Sequence, residues 1–188
     1  MSKHELLDIV SLDGQPTGQL IDKAVIHDQG LWHRDVHVWV TNGRDILQQQ
    51  RAWDKTIMPG EWDVSVGGHV GAGESYLDAA QRETAEELGL DRPAERFIRA
   101  GILAVDMAMG PTGWRHRTVG DNFVLVERGL RLEDVAIQES EVIGARWYPI
   151  DQLEADLARP ETARQHASQP AELWALGIAA MRDAVRLG

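Results

Sequence analysis

The sequence predicts an α/β fold in which a mixed β-sheet lies between helices, and three patterns support this prediction. Residues 33–40 (HRDVHVWV) place three valines on one side and His37 and Trp39 on the other, as in a strand with two different faces. Residues 171–186 repeat apolar side chains at helical spacing. Strand-like and helix-like segments alternate along the rest of the chain, an order typical of an α/β/α sandwich.

Turn signals mark the individual elements. Residues 5–12 and 17–21 flank Asp13-Gly14 and read as a hairpin. Asn42-Gly43, a strong hairpin turn, joins the strand at 33–40 to a return strand. The remaining predicted strands are at 46–51, 62–67, 98–106, 121–127 and 143–149, and the remaining predicted helices are at 150–158 and 171–186.

Composition limits the classes of protein to which the chain can belong. A length of 188 residues with 43% apolar residues fits one domain spanning residues 1–188. We expect a core of about residues 5–158, with the C-terminal helix packing on it. The net charge of −11 argues against general nucleic-acid binding, which needs basic patches. The absence of cysteine excludes disulfides and thiol catalysis. With no signal-like segment and no long apolar run, we expect a cytoplasmic protein that does not enter a membrane.

The most informative segment is residues 68–90, GHVGAGESYLDAAQRETAEELGL. Ser75 can cap a helix and Gly89 can end it in the left-handed conformation. On that helix Glu83, Glu86 and Glu87 span a sector of roughly 100°. Three carboxylates this close repel one another unless a cation or an arginine neutralises them, and hard oxygen ligands suit Mg²⁺ or Mn²⁺. The alternative is a solvated acidic helix face.

The spacing resembles the Nudix box, G-x5-E-x7-R-E-U-x-E-E-x-G-U, where U is a bulky apolar residue. Every defined position of the box matches except the first U, which is Thr84. The resemblance implies a Nudix α/β/α sandwich over about residues 5–158. It also implies metal-dependent hydrolysis of a phosphoanhydride bond in a nucleoside diphosphate linked to another group. The implied cofactor is Mg²⁺, with Mn²⁺ as the alternative.

The same resemblance implies roles for individual residues of the box. Glu86 and Glu87 would be the central metal ligands, and Glu83 would be a ligand or the general base. Arg82 and Glu74 would form an ion pair that orients the loop and the helix.

Two further metal ligands are implied outside the helix. The backbone carbonyl of Gly67, the residue before the box, would join the metal shell. Many Nudix enzymes take another ligand or base from a later loop, and Glu141 is the candidate here, with a simple surface carboxylate as the alternative.

Candidate substrate-binding residues lie on both sides of the box. Arg51 and Lys55 can hold phosphates, although ordinary surface charge is the alternative. His69 sits directly beside the metal loop. Residues 106–119 are predicted to be an irregular specificity loop in which Trp114 could stack on a base and Arg115 or Arg117 could meet a distal phosphate. The alternative for this loop is an exposed segment anchored by its tryptophan.

Residues 51–70 extend the resemblance to a Nudix branch that includes isopentenyl-diphosphate isomerases. In those enzymes, histidines at positions resembling His27, His33 and His69 bind a divalent metal. The isomerases also need a cysteine where this chain has Gly67, so the sequence favours hydrolysis. His37, on a strand face, is expected to be structural.

Three functional alternatives remain from the sequence. The preferred one is a hydrolase of a small-molecule nucleoside diphosphate derivative. The others are an isomerase-like enzyme and a Nudix module that senses nucleotides without cleaving them. Nudix proteins are often dimers, so a homodimer is the expected form of assembly.

Overall fold

The computed structural model describes residues 5–55, 58–109 and 114–187. Within these ranges the strands are β1 (Leu6–Val10), β2 (Pro16–Asp22), β3 (His33–Thr41), β4 (Asp45–Arg51), β5 (Trp62–Asp63), β6 (Val66–His69), β7 (Ile98–Met109), β8 (Trp114–Val126) and β9 (Val142–Pro149). The α-helices are α1 (Lys23–Gln29), α2 (Tyr76–Leu88), α3 (Ile150–Leu157), α4 (Pro160–Ala163) and α5 (Ala171–Leu187). Short 3-10 turns follow α2 at Ala94–Arg96 and precede β9 at Leu132–Asp134.

A seven-stranded mixed sheet forms the centre of the fold. Its main path runs β5-β4-β3-β8-β7, while β6 pairs with β3 and β9 pairs with β4. The β3 and β8 strands are parallel, and the other neighbours are antiparallel. The β1 and β2 strands form a separate hairpin. The predicted mixed sheet and the predicted N-terminal hairpin are both confirmed.

The two faces of β3 pack against different helices, as its alternation predicts. The valines of β3 join a buried cluster that includes Ala79, Ala80 and Leu88 of α2. Trp39 faces the other way and packs with α3 and α5, where its ring meets that of Trp174 with 5.7 Å between centroids. Helices therefore cover both faces of the sheet, and the α/β/α sandwich is confirmed.

The strand predicted at 62–67 is two strands. Asp63 pairs with Gln49 of β4, whereas Val66 pairs with Val38 of β3, so the chain changes partners between them. At the change, the Val40 amide donates to the Ser65 hydroxyl at 2.8 Å, which supplies a hydrogen bond that the sheet no longer provides. The two short strands fill the gap that opens as β3 and β4 diverge.

The segment predicted as an irregular loop, residues 106–119, is largely a hairpin. The β7 strand continues to Met109 and β8 begins at Trp114, while residues 110–113 lie outside the described residues. The β7 strand pairs with β8 along its whole length, from Ile98 to Met109. This pairing with β7 makes the polar residues at the start of β8 part of a strand. The short helix α1 was not predicted, although Asp22 caps its start and Gly30 ends it at a φ of 59°.

Candidate active site

The box helix α2 is capped at its two ends by the residues that the sequence predicted, Ser75 and Gly89. The Ser75 hydroxyl accepts a hydrogen bond from the Asp78 amide at 3.1 Å. Gly89 takes a φ of 68°, and its amide bonds the Ala85 carbonyl. Thr84, at the box position that usually holds an apolar residue, is buried and donates its hydroxyl to the Ala80 carbonyl at 2.6 Å. Its hydroxyl therefore has a partner inside the helix, and the substitution is compatible with burial.

Arg82 holds the start of α2 to the preceding loop. Its Nε and Nη2 atoms donate to the two carboxylate oxygens of Glu74, each at 2.9 Å. Its Nη2 also donates to the His69 carbonyl at 3.0 Å, and the Gly71 amide donates to Glu74 at 2.8 Å. Burial acts to raise the pKa of Glu74, but the hydrogen bonds from Arg82 and Gly71 outweigh it and the pKa is lowered. The predicted ion pair is present, and its geometry fixes the loop on the helix.

Glu87 is a buried carboxylate with few compensating contacts. Burial, followed by the charges of Glu83 and Glu141, raises the pKa of Glu87 to about 8. The Gln49 amide donates to it at 3.1 Å, and the Gly67 backbone amide also donates to it, which offsets only part of the rise. Glu87 therefore lies where a cation would stabilise its charged form.

Glu83 lies beneath β6, against Gly68. A Cβ atom at Gly68 would lie 2.1 Å from Cδ of Glu83, so only glycine leaves room for this side chain. Burial raises the pKa of Glu83 to about 7, although the Arg82 guanidinium, which donates to it at 2.7 Å, acts in the opposite direction. A carboxylate with a pKa near neutrality is suited to take up a proton.

The other two acidic candidates are more exposed. The Glu86 side chain is 53% exposed and lies 3.3 Å from Nη1 of Arg82. The Glu141 side chain pairs with Lys55, and its charge helps to raise the pKa of Glu87. Glu141 therefore lies near enough to Glu87 for their charges to interact, as expected for a loop that adds a ligand.

The closest group of metal-type ligands is formed by histidines. Across residues 5–55, 58–109 and 114–187, the one set of three or more such side chains whose ligand atoms all lie within 4.8 Å of one another is His27, His33 and His69. The box carboxylates do not converge to that extent. Burial lowers the pKa of His27 to about 3 and also lowers those of His33 and His69, so all three are neutral at pH 7. The Nδ1 atom of His33 lies 3.0 Å from the Leu31 carbonyl, which leaves Nε2 as the ligand atom.

A cavity of about 100 Å³ lies between the central strands and the start of the C-terminal segment. Arg51 and His69, both predicted to bind substrate, line it together with Gly67 and Gly68. The full lining is Asp35, His37, Arg51, Met58, Asp63, Val64, Gly67, Gly68, His69, Met107, His116 and Gln169. Glu83 lies against Gly68, and Glu87 accepts a hydrogen bond from the Gly67 amide, so the carboxylates and the cavity meet at the β6 backbone.

Arg51 is held at the cavity wall by a buried carboxylate. Its Nη1 atom lies 3.5 Å from Asp63, and Gln169 donates to both oxygens of Asp63 at 3.2 Å. Lys55 instead pairs with Glu141. The two cations predicted to hold phosphates therefore lie at different places, with Arg51 in the cavity and Lys55 beside the acidic loop.

The structure does not place Arg115 in the cavity. Its guanidinium donates to Asp106 of the neighbouring strand at 2.8 Å, and its Cβ packs against Gly30. Side chains alternate along β8, and His116 takes the cavity side, so Arg115 faces away from it. Arg115 therefore lies outside the cavity, and its contact with a distal phosphate stays a prediction. The side chain of Trp114 lies outside the described residues.

Sequence reasoning missed five polar residues of the cavity. His37 was expected to be structural, and the other four were not singled out: Asp35, Asp63, His116 and Gln169. The signal was present in the alternation of β3, because a strand that places His37 on one face also places Asp35 there. His116 could not be found in this way, since its strand was read as a loop.

The raised pKa values predict how the metal-free protein responds to pH. Glu83 and Glu87 bind protons more tightly in the folded than in the unfolded chain, so the free energy of unfolding falls as pH rises from about 4.5 towards about 8. We expect the melting temperature in EDTA to decrease between pH 5.5 and pH 8 and Glu87→Gln to lessen that decrease. Differential scanning calorimetry across this pH range tests the prediction. If the melting temperature of Glu87→Gln falls with pH as steeply as that of the unchanged protein, the prediction is contradicted. The exposed substitution Glu95→Gln is the control.

The sandwich fold and the box helix with its Arg82–Glu74 pair define a Nudix-type protein, and comparisons with known proteins agree. The family model of the NUDIX domain matches residues 31–169. The chain belongs to the Nudix family.

Relatives and solved structures extend the comparison. Nudix hydrolase 3 of Arabidopsis thaliana is 30% identical over 162 residues, which are 85% of this chain and 21% of that protein. A Nudix hydrolase of Clostridium acetobutylicum is 30% identical over 80% of this chain and 73% of its own length. An isopentenyl-diphosphate Delta-isomerase of Serratia proteamaculans is 41% identical over 45% of this chain and 48% of its own length. The crystal structure of DR0079 from Deinococcus radiodurans has a TM-score of 0.61 at 22% identity, covering 97% of this chain and 98% of that one, which shows a shared fold.

These matches differ in extent. The chain spans about a fifth of the Arabidopsis protein and about half of the isomerase. In the described part of the chain, none of the helices is both long enough and apolar enough to cross a membrane.

Proposed function

We propose that this chain is a metal-dependent Nudix pyrophosphohydrolase that cleaves a phosphoanhydride bond in a nucleoside diphosphate linked to another group. The observation that carries the proposal is the pair of carboxylates formed by the largely buried Glu83 and the buried Glu87, whose pKa values are raised to about 7 and about 8. They contact the β6 glycines that line a cavity containing Arg51. Buried carboxylates of this kind serve no stabilising purpose without a cation or a proton to bind.

The donor set fits a hard divalent cation. Glu86, Glu87 and the Gly67 carbonyl would hold it, with Glu141 as a further ligand, and all of these donors are oxygen atoms that suit Mg²⁺ or Mn²⁺. When bound, the cation supplies neutralisation of the phosphates and a water of lowered pKa. The increase in pKa that burial causes at Glu87 supports this assignment, because the charged form needs such a partner.

Glu83 is the proposed general base. Its pKa near 7 allows it to be ionised before the reaction and to accept a proton during it. Arg82 contacts Glu83 at 2.7 Å and holds Glu74 through two hydrogen bonds, so it orients the helix on which the base is carried. Glu141, on the loop before β9, is the alternative base.

The substrate phosphates are proposed to lie against Arg51, with Lys55 available beside the acidic loop. Arg51 lines the cavity, and its guanidinium group lies beside Asp63. The guanidinium is therefore already in position before a ligand binds. His69 forms part of the same wall. The likeness to hydrolases of the Nudix family supports this substrate class.

A hydrolysis screen tests the proposal. The purified chain is incubated with nucleoside triphosphates, nucleotide sugars, ADP-ribose, dinucleoside polyphosphates and isopentenyl diphosphate, in Mg²⁺, in Mn²⁺ and in EDTA. We expect cleavage of one phosphoanhydride class that is abolished by EDTA. Nucleotide binding without cleavage in any condition would instead support the nucleotide-sensing module.

Replacing Arg51 by alanine is expected to raise KM about tenfold to a hundredfold while changing kcat much less. The guanidinium would bind the phosphates equally in the ground state and in the transition state, so its loss weakens binding rather than chemistry. Steady-state kinetics on the substrate from the screen provide the measurement, with Arg186→Ala on the exposed end of α5 as the control. An unchanged KM would show that Arg51 does not hold the phosphates.

An isomerase-like activity is the second candidate, and the cluster of His27, His33 and His69 favours it. Its neutral imidazoles could hold a nitrogen-preferring divalent metal. Gly67 stands where the isomerases carry a cysteine, and the sequence contains none, so hydrolysis is preferred. Interconversion of isopentenyl and dimethylallyl diphosphates by the purified chain would reverse that preference.

Three broader predictions accompany the proposed activity. The cytoplasm is the proposed location, and a homodimer is the proposed assembly. The whole chain is proposed to act as one domain, with the core of about residues 5–158 covered by α5.

A further inference from the structure

A group of buried polar atoms lies on the cavity face of the two central strands. In the parallel register of β3 and β8, His33 is opposite Thr118, and Asp35 is opposite Gly120. Asp35, His37 and Thr118 therefore project from the same side of the sheet. These three residues are 6%, 8% and 1% exposed.

Each of the three side chains has a polar atom without a protein partner in the described part of the chain. These atoms are Oδ1 of Asp35, Nδ1 of His37 and Oγ1 of Thr118. The other carboxylate oxygen of Asp35 faces His116, 3.9 Å from its Nε2 atom. A folded protein leaves few buried polar atoms unpaired, since each one gives up its hydrogen bonds to water without a replacement. Three such atoms on neighbouring positions indicate a place built for a polar ligand.

Gly120 leaves room for the carboxylate of Asp35. A Cβ atom there would lie 2.3 Å from Oδ1 of Asp35 and 3.6 Å from Nδ1 of His37. Because Gly120 has no side chain, the Asp35 oxygen occupies this position and lies close to the His37 ring. Asp35 and His37 also line the cavity in which Arg51 lies, so a ligand in that cavity can reach both the cation and the polar atoms.

We propose that Asp35, His37 and Thr118 form a subsite for hydroxyl groups, so that the group attached to the diphosphate is a sugar or another polyol. The inference rests on the proposed hydrolase function and specifies its substrate. The carboxylate of Asp35 repels a phosphate but accepts hydrogen bonds from hydroxyls, and His37 and Thr118 can accept or donate. The phosphates then lie towards Arg51, and the polyol lies beside Asp35 and His37 in the same cavity.

A bound cation is a weaker explanation for the same atoms. Among the described residues, the group with converged ligand atoms is His27, His33 and His69, and it includes neither Asp35 nor His37. Thr118, with a neutral hydroxyl, is also better suited to a hydrogen-bonded organic ligand than to a metal.

The test compares pairs of ligands in which one member lacks the hydroxyl groups of the other. Calorimetry in Mg²⁺ would measure binding of non-cleavable α,β-methylene analogues to the purified chain. One pair is the analogue of ADP-ribose and the matching tetrahydrofurfuryl ester, which keeps the ring but lacks its hydroxyls. The other pair is the analogue of UDP-glucose and the matching cyclohexyl ester. We expect the hydroxylated member of at least one pair to bind about tenfold more tightly or better. Equal affinity within both pairs, including no measurable binding, overturns the proposal.

Single substitutions test whether these residues cause the preference for hydroxylated ligands. Asp35→Asn and Thr118→Val are expected to weaken binding of the hydroxylated ligand about tenfold and to leave the ester lacking hydroxyls unaffected. Asp121→Asn is the control, because Asp121 is also buried on β8 but faces the opposite side, where it pairs with Arg99 at 2.7 Å. A preference that survives both subsite variants would overturn the assignment.

The two proposals fail separately. If the chain hydrolyses diphosphates but the calorimetry finds no preference for hydroxyls, the subsite is refuted and the hydrolase stands. If no phosphoanhydride is cleaved, the hydrolase is refuted, and the binding comparison still decides whether the cavity recognises hydroxyl groups.

Discussion

Replacing Glu86 by glutamine is expected to lower kcat about a hundredfold to a thousandfold and to leave the melting temperature within a few degrees of its original value. Glu86 is a proposed ligand of the cation, so the change removes one negative charge from the metal shell. Its side chain is 53% exposed, and its protein contact is a 3.3 Å approach to Arg82. A large loss of activity therefore cannot be attributed to a damaged fold.

The measurement is kcat as a function of Mg²⁺ concentration, together with a thermal melt of each protein. If Glu86 binds the cation, higher Mg²⁺ should restore part of the activity of Glu86→Gln. The same substitution at the exposed Glu95 should have no effect on either quantity. Near-normal turnover of Glu86→Gln at low Mg²⁺ would remove Glu86 from the metal shell.

Gly68→Ala is expected to lower kcat about a hundredfold, whereas Gly67→Ala should cost much less. An alanine Cβ at Gly68 would lie 2.1 Å from Cδ and 2.4 Å from Cγ of Glu83, so the proposed base must move. At Gly67 the nearest atom to such a Cβ is Cδ2 of His37 at 3.6 Å, an ordinary contact. A displacement of about 1 Å in a catalytic group can cost two orders of magnitude in rate.

The adjacent glycines form a matched pair of variants, and a third variant identifies the cause of the loss. Glu83→Ala alone should be severely impaired, and adding Gly68→Ala to it should cause little further loss, because both changes act on the same side chain. Additive losses in the double variant would mean that Gly68 acts by another route. Thermal melts of all four proteins separate loss of activity from loss of fold.

Local signals in the sequence predicted the box helix almost completely. Ser75 and Gly89 define its ends through contacts within one turn, and the fixed spacing places Arg82 where it can reach Glu74. Such features depend on neighbouring residues and can be read from a single chain. The Arg82–Glu74 pair is present as expected, while the metal and catalytic roles stay predictions.

Pairing between distant segments was harder to predict. The change of partner between Asp63 and Val66 depends on how β3 and β4 diverge, which no local pattern reveals. The polar start of β8 forms a strand because β7 pairs with it, not because of its own propensity. His116 consequently escaped notice, since its strand was read as a loop, whereas the alternation of β3 could have indicated Asp35.

The position of β6 has a consequence for how this protein could change during evolution. Gly67 and Gly68 contact the box carboxylates of α2 and also line the cavity, whose other polar residues come from different strands. Residues on β3 and β8 can therefore be exchanged to accept a different leaving group while the hydrolytic helix keeps its sequence. Substrate specificity and catalytic rate can then change independently of each other. A library of variants substituted only at positions 35, 37 and 118 should contain proteins with altered substrate selectivity and an unchanged turnover number.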